Sequence, residues 1–296
     1  MNERSTQRCG HVAIVGRPSV GKSTLVNALV GEKVTITSKK PQTTRHRILG
    51  ILSDPGVQYI FVDTPGFQSR HRSPLNTRLN RTVRESLDGV DLVVAVQEAS
   101  HDTAADRAVL ALVPREMPAI VALNKIDLLR DKAALLPRIA ELAREREFAA
   151  IVPISAERGL QLDVLKSEIA RLLPESPSLY PEDETTDRDE RFLAAEAVRE
   201  KIFRLLGDEI PYAATVSVER FEHEGDLRRI HVTVFVEKPG QRALILGEGG
   251  RRMKEIATQA RHDLEARFGG KVFLEVWVRV KRGWADSDAS LARYGY

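Results

Sequence analysis

Residues 16–23, GRPSVGKS, constrain the fold of this chain more than any other stretch of its sequence. They fit the pattern G-x-x-x-x-G-K-[ST], follow the apolar run HVAIVG and open the apolar-patterned stretch KSTLVNALV. A glycine-rich turn between a buried strand and a helix lets backbone N–H groups and the helix dipole surround a phosphate. The spacing therefore predicts a P-loop for a nucleoside triphosphate, with Lys22 at the β- and γ-phosphates and Ser23 on Mg²⁺.

Further apolar runs follow the P-loop, at YIFVDTPG, DLVVAVQEA, AIVALNKID and AAIVPISA, and helical patterning separates most of them, as at residues 135–148. Strands that alternate with helices indicate an α/β domain with a mainly parallel sheet. The residues SDPG at 53–56 favour a hairpin turn between two antiparallel strands. The sequence therefore predicts a P-loop domain with a mixed, mainly parallel sheet.

The motif NKID indicates which base the site accepts. The carboxylate of Asp127 can accept hydrogen bonds from guanine N1–H and from the exocyclic amine, whereas adenine presents an acceptor at N1 and no amine at C2. Lys125 can lie along the base or ribose, and the Asn124 amide can brace the loop. Ser155 and Ala156, which follow the run AIVPI, can offer a backbone N–H to guanine O6. These residues predict a GTP site.

The motif DTPG and the polar stretch KKPQTTRHR are placed to sense the γ-phosphate. Asp63 can hold Mg²⁺ through water, Gly66 can donate its N–H to the γ-phosphate, and Thr44 is expected to complete the metal shell. Loops of this kind are ordered by the γ-phosphate and released on hydrolysis. Phe67 stands where many GTPases have a water-orienting glutamine, and His71 is expected to be a solvated loop residue. We therefore expect slow hydrolysis, with no general base.

These assignments define the predicted nucleotide site. Its expected catalytic residues are Lys22, Thr44, Asp63 and Gly66. Its expected metal ligands are Ser23, Thr44 and Asp63, the last through water. The residues predicted to bind GTP are Gly16, Arg17, Pro18, Ser19, Val20, Gly21, Lys22, Ser23, Thr24, Asp63, Thr64, Pro65, Gly66, Phe67, Asn124, Lys125, Asp127, Ser155 and Ala156.

The composition changes at residues 174–190, PESPSLYPEDETTDRDE, which contain three prolines and seven acidic residues against one arginine. A segment of this kind with few apolar residues is typical of an interdomain linker. We therefore expect a GTP-binding domain over residues 1–175, an acidic, proline-containing linker over 176–188 and a second domain over 189–296.

The patterning of the second domain predicts the order helix, strand, strand, helix, helix, strand. Its residues GEGG, 247–250, separate the helical stretches QRALIL and RRMKEIATQARHDLEARF. They are not a dinucleotide-binding motif, because Arg252 stands where that motif requires its third glycine. A G-x-x-G loop between two helices in a small α+β domain is typical of a type II KH domain, which clamps about four single-stranded nucleotides.

Charge supports a nucleic-acid partner for this domain. Residues 241–282 contain ten basic and five acidic side chains, a difference of +5, whereas the whole chain has a net charge of +3. Trp277 lies on an amphipathic strand, and we expect it to pack in the core of the domain. The alternative is that Trp277 and Trp284 stack on RNA bases. The residues predicted to hold RNA are Gly247, Glu248, Gly249, Gly250, Arg251, Arg252 and Lys254.

Composition places the chain among globular proteins, with 42% hydrophobic and 29% charged residues over 296 positions. No apolar run approaches the roughly 20 residues needed to cross a bilayer, and MNERSTQRCG lacks the apolar core of a signal peptide. Because Cys9 is the single cysteine, no internal disulfide can form, and a reducing cytoplasm is the expected location.

The P-loop, DTPG, NKID and SA motifs, followed by a KH domain, resemble the bacterial Era family of GTPases. The likeness covers nearly the whole chain and includes ITSKKPQTTRHRI, GEGGRRMKEI and VKRGWADSDASLARYGY. The resemblance implies a GTP-hydrolysing assembly factor for the small ribosomal subunit, which binds single-stranded sequence near the 3′ end of the small-subunit ribosomal RNA. It also implies a peripheral association with the inner face of the cytoplasmic membrane.

The resemblance further implies roles for residues that match the family pattern. It accounts for Phe67, since this family has a hydrophobic residue there. Ser19 departs from the pattern, because relatives often have an asparagine there that helps hold a K⁺ ion in place of an arginine finger. The shorter serine leaves potassium stimulation an open question. The implied roles are phosphate and Mg²⁺ binding for residues 16–24, metal binding and switching for Thr44 and Asp63, and guanine binding for Asn124, Lys125 and Asp127.

Two other functions remain as alternatives to an RNA-binding molecular switch. An RNA-modifying or metabolic enzyme gated by a GTPase domain would need a second catalytic constellation, and the sequence offers no clustered Cys/His ligands and no nucleophile–base pair. A membrane-surface GTPase would use the basic patch of the second domain to bind anionic lipid. The motifs favour the switch, in which GTP orders the loops around Thr44 and Asp63.

Overall fold

The computed structural model describes residues 7–68, 73–207 and 210–284. Packing divides the chain into two units. Unit 1 takes in residues 1–35, 44–72 and 76–187, whereas unit 2 takes in residues 36–43, 73–75 and 188–296. His71, which the sequence predicts to be solvated, and the end of the predicted second domain from residue 285 lie outside the described residues.

Unit 1 is an α/β unit, as the sequence predicts. Its described strands are β1 (Arg8–Val15), β2 (Ile48–Asp54), β3 (Val57–Asp63), β4 (Leu92–Glu98), β5 (Ala119–Asn124) and β6 (Ala150–Pro153). Its described helices are α1 (Lys22–Val30), α2 (Pro74–Glu85, in unit 1 from residue 76 onward), α3 (Ala104–Leu110), α4 (Leu135–Glu145) and α5 (Leu162–Leu172). The strands form one sheet in the order β2-β3-β1-β4-β5-β6.

Five of these six strands are parallel, and β2 alone pairs antiparallel, with β3. The turn between β2 and β3 contains Gly56 at φ 80°, a left-handed conformation that glycine adopts without strain. The prediction of a mixed, mainly parallel sheet with a hairpin at SDPG is therefore confirmed.

The parallel strands end at one edge of the sheet, and that edge carries the polar residues of unit 1. The P-loop follows β1, Asp63 ends β3, Glu98 ends β4, Asn124 ends β5 and Ser155 lies just beyond β6. The strands leading to this edge are apolar and buried on both faces, as in parallel sheets covered by helices. The fold thus gathers distant motifs at the edge where α/β sheets bind ligands.

The acidic segment that follows α5 is anchored along unit 1. The buried amide of Gln58 on β3 accepts hydrogen bonds from the N–H groups of Leu179 and Tyr180, at 2.9 and 3.0 Å, and donates to the Tyr180 carbonyl at 2.9 Å. On β2, the Ile51 N–H donates to the Thr185 carbonyl at 2.9 Å. Residues 176–187 of the predicted linker, 176–188, therefore pack with unit 1, and residue 188 belongs to unit 2.

Unit 2 has the predicted order of elements. They are α6 (Glu190–Leu205), β7 (Ala214–Glu224), β8 (Leu227–Val236), α7 (Pro239–Leu246), α8 (Arg251–Phe268) and β9 (Lys271–Val280). The three strands form a sheet in the order β7-β8-β9, in which β7 and β8 are antiparallel and β8 and β9 are parallel. This arrangement confirms the predicted α+β unit.

The core of unit 2 lies between one face of its sheet and the three helices. Ile230, Val232, Val234 and Val236 of β8 are fully buried, as their period-two spacing predicts. They pack in one cluster with the α8 residues Met253, Ile256, Ala260 and Leu264.

The last strand differs from the sequence prediction at two positions. Packing was the expected role of Trp277, but 54% of its surface is exposed, because it lies on the face of β9 that turns away from the helices. The period-two spacing of Val272, Val278 and Val280 predicts one inner face, but Val280 is 38% exposed at the end of this edge strand.

Residues 36–43 pack in unit 2 through hydrogen bonds to α6. The buried carboxylate of Glu200 accepts from the Thr37 N–H at 3.1 Å. Arg204 donates to the carbonyl of Thr37 at 3.1 Å and to its hydroxyl at 2.9 Å. Arg199, which is also buried, donates to the carbonyl of Thr43. Side chains of α6 therefore fix the backbone of this segment near both of its ends.

Replacing Gln58 by methionine tests how the acidic segment is held. Methionine keeps most of the volume but leaves the N–H groups of Leu179 and Tyr180 without their acceptor, so the free energy of unfolding should fall by about 1–3 kcal/mol. We also expect faster proteolytic cleavage within residues 176–187. Asn80→Ala on α2, which removes a similar pair of amide hydrogen bonds to Gln68, is the control. Unchanged cleavage of the segment in Gln58→Met would contradict this account.

Candidate functional site

The P-loop has the backbone geometry that its glycines suggest. Gly21 lies at φ 100°, and a Cβ there would stand 2.4 Å from Nδ2 of Asn124. A Cβ on Gly16 would stand 2.6 Å from the carbonyl oxygen of Val96. Ser19 is held at φ 64°, a left-handed conformation that asparagine adopts more readily than serine. Glycine is therefore required at residues 16 and 21, whereas residue 19 tolerates a polar side chain.

Lys22 is buried at the start of α1, and its ammonium group curls back onto the P-loop. Nζ donates to the carbonyls of Gly16 and Arg17 at 3.1 and 3.0 Å. Burial lowers the pKa of Lys22 to about 8, and the nearby carboxylate of Asp63 only partly offsets this effect. A buried cation of this kind is suited to an anionic ligand such as a phosphate.

Three hydroxyl groups converge on one oxygen of Asp63. Oδ2 accepts hydrogen bonds from Ser23 at 2.8 Å, Thr35 at 2.9 Å and Thr44 at 3.3 Å, and the Ser23 and Thr44 hydroxyl oxygens are 2.6 Å apart. The structure thus brings together Ser23, Thr44 and Asp63, the three predicted metal ligands. It adds Thr35, which the sequence motifs did not indicate because its only connection to Asp63 is through space.

The residues around Asp63 fit a magnesium ion. The carboxylate is fully buried, and burial raises its pKa although Lys22 and the three hydroxyls oppose the rise. Its Oδ1 atom is buried and has no hydrogen-bond partner among the described residues. Mg²⁺ binds hard oxygen ligands, and its charge would stabilise the ionised carboxylate. Ser23, Thr44 and Asp63 would therefore hold Mg²⁺, with Thr35 fixing the carboxylate.

The DTPG motif contacts the P-loop directly. A Cβ on Gly66 would stand 2.7 Å from Cα of Pro18, and the Phe67 N–H donates to the carbonyl of Gly16 at 3.3 Å. The Thr64 hydroxyl donates to the Ile14 carbonyl at 2.8 Å, and Pro65 is buried. The Phe67 ring packs in a core cluster. Phe67 therefore offers no polar group for a water molecule, in agreement with the sequence analysis.

Asn124 braces the loops that the sequence assigns to guanine. Its Nδ2 atom donates to the carbonyl of Val20 at 2.8 Å, and its Oδ1 atom accepts from the N–H groups of Lys125 and Ala156, at 2.8 and 2.9 Å. The Ser155 hydroxyl donates to Asp127 at 2.5 Å. Asn124 thus links the P-loop, NKID and the Ser155–Ala156 turn, whereas the predicted bond from this turn to guanine O6 stays a prediction.

A network of charged groups joins the phosphate loop to the base loop. The carboxylate of Glu98, at the end of β4, lies 2.9 Å from Nη2 of Arg17 and 3.4 Å from Nζ of Lys125. Arg17 also contacts the buried carboxylate of Asp106 at 3.2 Å. Although burial opposes the effect, Lys125 and Arg17 hold the pKa of Glu98 below its usual value. Glu98 and Asp106 belong to no motif, so the sequence analysis missed them.

The GEGG loop of unit 2 requires glycine at residue 247 and exposes bare backbone at its other glycines. Gly247 lies at φ 69° and ψ 179°, a region that is almost exclusive to glycine, and a Cβ there would stand 2.8 Å from Cβ of Arg252. Gly249 and Gly250 lie at φ 58° and 77°, and a Cβ on either would meet open space. The loop therefore offers bare backbone to a ligand, as a clamp on phosphates needs.

Basic side chains and the N-terminus of helix α8 lie next to the GEGG loop. Helix α8 begins at Arg251, and its N-cap residue, Gly250, has no side chain to cap the first N–H groups, so the helix N-terminus can face an anion. Arg251, Lys254 and Glu248 are exposed, and the Arg252 guanidinium donates to the Leu244 carbonyl at 3.0 Å. All seven residues predicted to hold RNA therefore lie in or beside one loop.

Two family models match the chain. "50S ribosome-binding GTPase" matches residues 11–125, and "KH domain" matches residues 209–285. The GTPase Era of Nitrosomonas eutropha is 53% identical over 292 residues, which cover 99% of each chain. The GTPase Era of Chromobacterium violaceum is 53% identical over 287 residues, or 97% of each chain. The chain belongs to the Era family of GTPases.

Solved structures agree with this assignment to the Era family. A variant of Era from Aquifex aeolicus, bound to GDP and AlF₄⁻, superposes with a TM-score of 0.95 at 36% identity, covering 98% of this chain and 99% of that one. Era in complex with MgGDPNP and nucleotides 1506–1542 of 16S ribosomal RNA superposes with the same score and coverage at 37% identity. The P-loop unit and the KH unit described above are therefore those of an Era GTPase.

The pKa of Lys22 predicts how nucleotide affinity depends on pH. The Lys22 ammonium loses its proton as the pH rises through about 8. Above that pH, Lys22 must take up a proton before it can pair with a phosphate. We expect the affinity of the nucleotide-free protein for GDP to fall between about pH 7 and pH 9. In Lys22→Arg, whose side chain stays charged, the affinity should change much less over this range. Equal pH profiles for the two proteins, measured by calorimetry, would contradict the assignment.

Replacing Glu98 by glutamine tests the network between the two loops. The change removes the charge that holds Arg17 and Lys125 together, so fluorescent GDP should dissociate roughly tenfold faster. The control is Glu141→Gln on α4, which removes a similar ion pair to Arg138 away from the site. If stopped-flow measurements gave wild-type dissociation for Glu98→Gln, the network would have no part in holding the nucleotide.

Proposed function

We propose that this chain binds and slowly hydrolyses GTP and holds single-stranded RNA near the 3′ end of the small-subunit ribosomal RNA during assembly of the small ribosomal subunit. One observation carries the proposal: the same chain contains a complete set of guanine-nucleotide motifs at one sheet edge and a bare G-x-x-G loop in a KH unit. The Era structure that holds MgGDPNP and 16S ribosomal RNA supports it, at 37% identity over 98% of this chain.

Hydrolysis in this account depends on positioning and charge. Lys22 binds the β- and γ-phosphates, and the Gly66 N–H binds the γ-phosphate. When bound by Ser23, Thr44 and Asp63, Mg²⁺ neutralises charge that develops on the phosphate oxygens. Phe67 contributes neither a base nor a water ligand, because its ring is buried in the core. We therefore expect slow turnover by the isolated protein, and several turnovers per second would contradict it.

The segment 36–43 is the element through which nucleotide state would reach unit 2. Its ends continue into Thr35 and Thr44, and both of these hydroxyls contact Asp63. The segment itself is held by side chains of α6, including Glu200 and Arg204. A ligand that draws Thr44 toward Mg²⁺ and the γ-phosphate therefore acts on a segment that side chains of α6 hold by hydrogen bonds.

Substitutions at Gly249 can test the RNA clamp without changing the backbone of the GEGG loop. Asp and Asn both tolerate the left-handed conformation of Gly249, and both side chains would meet open space. Aspartate places a negative charge beside the RNA phosphates, so Gly249→Asp should weaken binding of a 3′-terminal 16S-type oligonucleotide at least tenfold, roughly the value of one or two lost phosphate contacts. Gly249→Asn is the matched control and should retain most of the affinity, measured by fluorescence anisotropy.

This experiment also separates the alternatives. Both variants should bind GTP like the wild type, because residue 249 belongs to unit 2. If Gly249→Asp bound RNA as tightly as Gly249→Asn, the loop would not be the clamp. If Gly249→Asp instead lost binding to anionic vesicles and kept RNA binding, the basic face of unit 2 would serve a membrane surface.

We place the protein in the cytoplasm, with peripheral contact to the inner face of the cytoplasmic membrane. The single cysteine supports a reducing compartment, and Cys9 is buried in unit 1. The family resemblance supports the membrane contact. No helix among the described residues combines the length and the apolar character needed to span a bilayer. Sedimentation with vesicles of zwitterionic and anionic lipid would test the contact.

Ser19 predicts the response of hydrolysis to potassium. Its hydroxyl is shorter than the asparagine amide that relatives use for a K⁺ ion, and so we expect equal GTP hydrolysis in potassium and sodium buffers. Because residue 19 lies at φ 64°, Ser19→Asn fits the same backbone and should make hydrolysis faster in potassium than in sodium. Phosphate release in the two buffers measures both effects, and potassium stimulation of the wild type would contradict the expectation.

A further inference from the structure

Thr35 differs from Ser23 and Thr44, the other two hydroxyl residues at Asp63, because it belongs to no nucleotide-binding motif. It is 2% exposed, and its hydroxyl donates to Oδ2 of Asp63 at 2.9 Å, whereas the Thr44 hydroxyl lies at 3.3 Å. A threonine side chain is stiff at χ1, so a fixed backbone gives its hydroxyl a fixed direction. The support of the Thr35 backbone therefore decides how firmly the carboxylate is held.

One side chain of helix α1 fixes the backbone of Thr35. The Oδ1 atom of Asn27 accepts hydrogen bonds from the N–H groups of Val34 and Thr35, both at 3.0 Å. Its Nδ2 atom donates to the Thr35 carbonyl at 2.8 Å. Three hydrogen bonds thus join the last turn of α1 to residues 34 and 35. We call Asn27 and Thr35, with the hydrogen bonds between them, the Asn27–Thr35 clip.

Apolar packing also holds the clip within unit 1. Val34 is 2% exposed and lies in the same core cluster as Val26 and Val30 of α1. It packs over Gly50 of β2, where a Cβ would stand 3.3 Å from Cγ2 of Val34. The P-loop helix and the sheet of unit 1 therefore position Thr35.

Thr44 has a different support. It follows Thr43, whose carbonyl accepts a hydrogen bond from Arg199 of α6. Thr43 is the last residue of the segment 36–43, and loops of this kind are ordered by the γ-phosphate and released on hydrolysis. Of the two threonine hydroxyls at Asp63, one is thus held by α1, and the other adjoins the segment on which the proposed switch acts.

We propose that Thr35 is a positioning residue for the magnesium site and holds the Asp63 carboxylate in place with either GDP or GTP bound. The inference rests on the proposed GTP site and adds to it a residue that is not itself a metal ligand. Because Asn27 fixes Thr35 from within unit 1, the hydroxyl stays at Asp63 when the segment 36–43 changes.

Holding one oxygen of Asp63 determines what the other oxygen can do. The last torsion of an aspartate side chain is broad and twofold, so a carboxylate without partners can rotate. Because Thr35 donates to Oδ2, the Oδ1 atom, which has no hydrogen-bond partner among the described residues, is left for the metal ion or its water. Removing a group that orients a metal-binding side chain typically lowers metal affinity about 10- to 100-fold.

Release of fluorescent GDP at graded Mg²⁺ concentrations tests this role without any hydrolysis. Mg²⁺ joins protein oxygens to the β-phosphate, so it should slow release, and the midpoint of the titration reports the affinity for Mg²⁺. Thr35→Val keeps the shape but not the hydroxyl, and its midpoint should lie about tenfold higher. Thr35→Ser, which keeps the hydroxyl, should recover most of the wild-type value.

Two further variants separate this role from folding. Thr35→Ala also lacks the hydroxyl and should behave like Thr35→Val. Thr233→Val in unit 2 is the matched control, because it removes a buried hydroxyl that has no partner in the described part of the chain. Its midpoint should equal that of the wild type.

The same titration with a non-hydrolysable GTP analogue distinguishes the two threonines. Thr35→Val should raise the midpoint by a similar factor with GDP and with the analogue, because Asn27 holds residue 35 in both states. Thr44→Val should raise it more with the analogue than with GDP, because Thr44 is expected to complete the metal shell when the γ-phosphate orders its loop. Asn27→Ala, which releases the Thr35 backbone, should raise it with both nucleotides.

The outcomes distinguish the role of Thr35 from the nucleotide site itself. If the wild type releases GDP at one rate with and without Mg²⁺, the proposed metal site fails, and the role of Thr35 fails with it. If the wild type responds to Mg²⁺ and Thr35→Val has the same midpoint, the inference is overturned while the GTP site stands. A raised midpoint in Thr35→Val with the analogue alone, or an equal rise in Thr35→Ser, would also contradict it.

Discussion

The buried carboxylate of Asp63 is the interaction on which the nucleotide site depends. A carboxylate removed from water is costly unless cations or hydrogen bonds surround it. Here one oxygen receives hydroxyls from three separate stretches of chain, which belong to the P-loop helix and to both sides of the segment 36–43. The other oxygen has no partner within the described residues, and this leaves the group suited to a divalent cation.

The same carboxylate links Thr35 and Thr44, the two residues that flank the segment 36–43. Thr35 and Thr44 stand on either side of a segment whose own backbone is fixed by Arg199, Glu200 and Arg204 of α6. In the proposed switch, a ligand that changes the hydroxyl positions at Asp63 acts on this segment through Thr35 and Thr44, the two residues that flank it. Packed elements of this kind respond in discrete steps. Nucleotide state and RNA capture therefore share one physical connection in our account.

Local pattern and contiguous motifs made much of this molecule predictable from its sequence. The mixed sheet, the order of elements in unit 2 and the buried face of β8 follow from hydrophobic periodicity, and the phosphate and base loops follow from short motifs. Periodicity does not report which side chains meet across the fold. The contact of Thr35 with Asp63 is of this kind, and so are the contacts of Glu98 with Arg17 and Lys125. No spacing in the sequence indicates these contacts.

Composition alone does not show where a polar segment of the chain packs. The acidic segment before unit 2 has the composition of an interdomain linker, and its backbone is hydrogen-bonded to the Gln58 side chain and the Ile51 N–H of unit 1. Trp277 illustrates the opposite case, because a tryptophan on an amphipathic strand is normally packed and this one is exposed. Gln58 and Ile51 hold the acidic segment, and the outward face of β9 leaves Trp277 exposed. No local pattern in the sequence marks either arrangement.

The most direct test of the account compares RNA affinity with GDP and with a non-hydrolysable GTP analogue bound, in the wild type and in Arg204→Gln. Arg191→Gln on the same helix, which removes a hydrogen bond to the Val218 carbonyl, is the control. The account predicts that the wild type and the control bind RNA at least fivefold more tightly with the GTP analogue, within the usual range of allosteric coupling, and that Arg204→Gln loses the difference. Equal RNA affinity of the wild type with both nucleotides would contradict it.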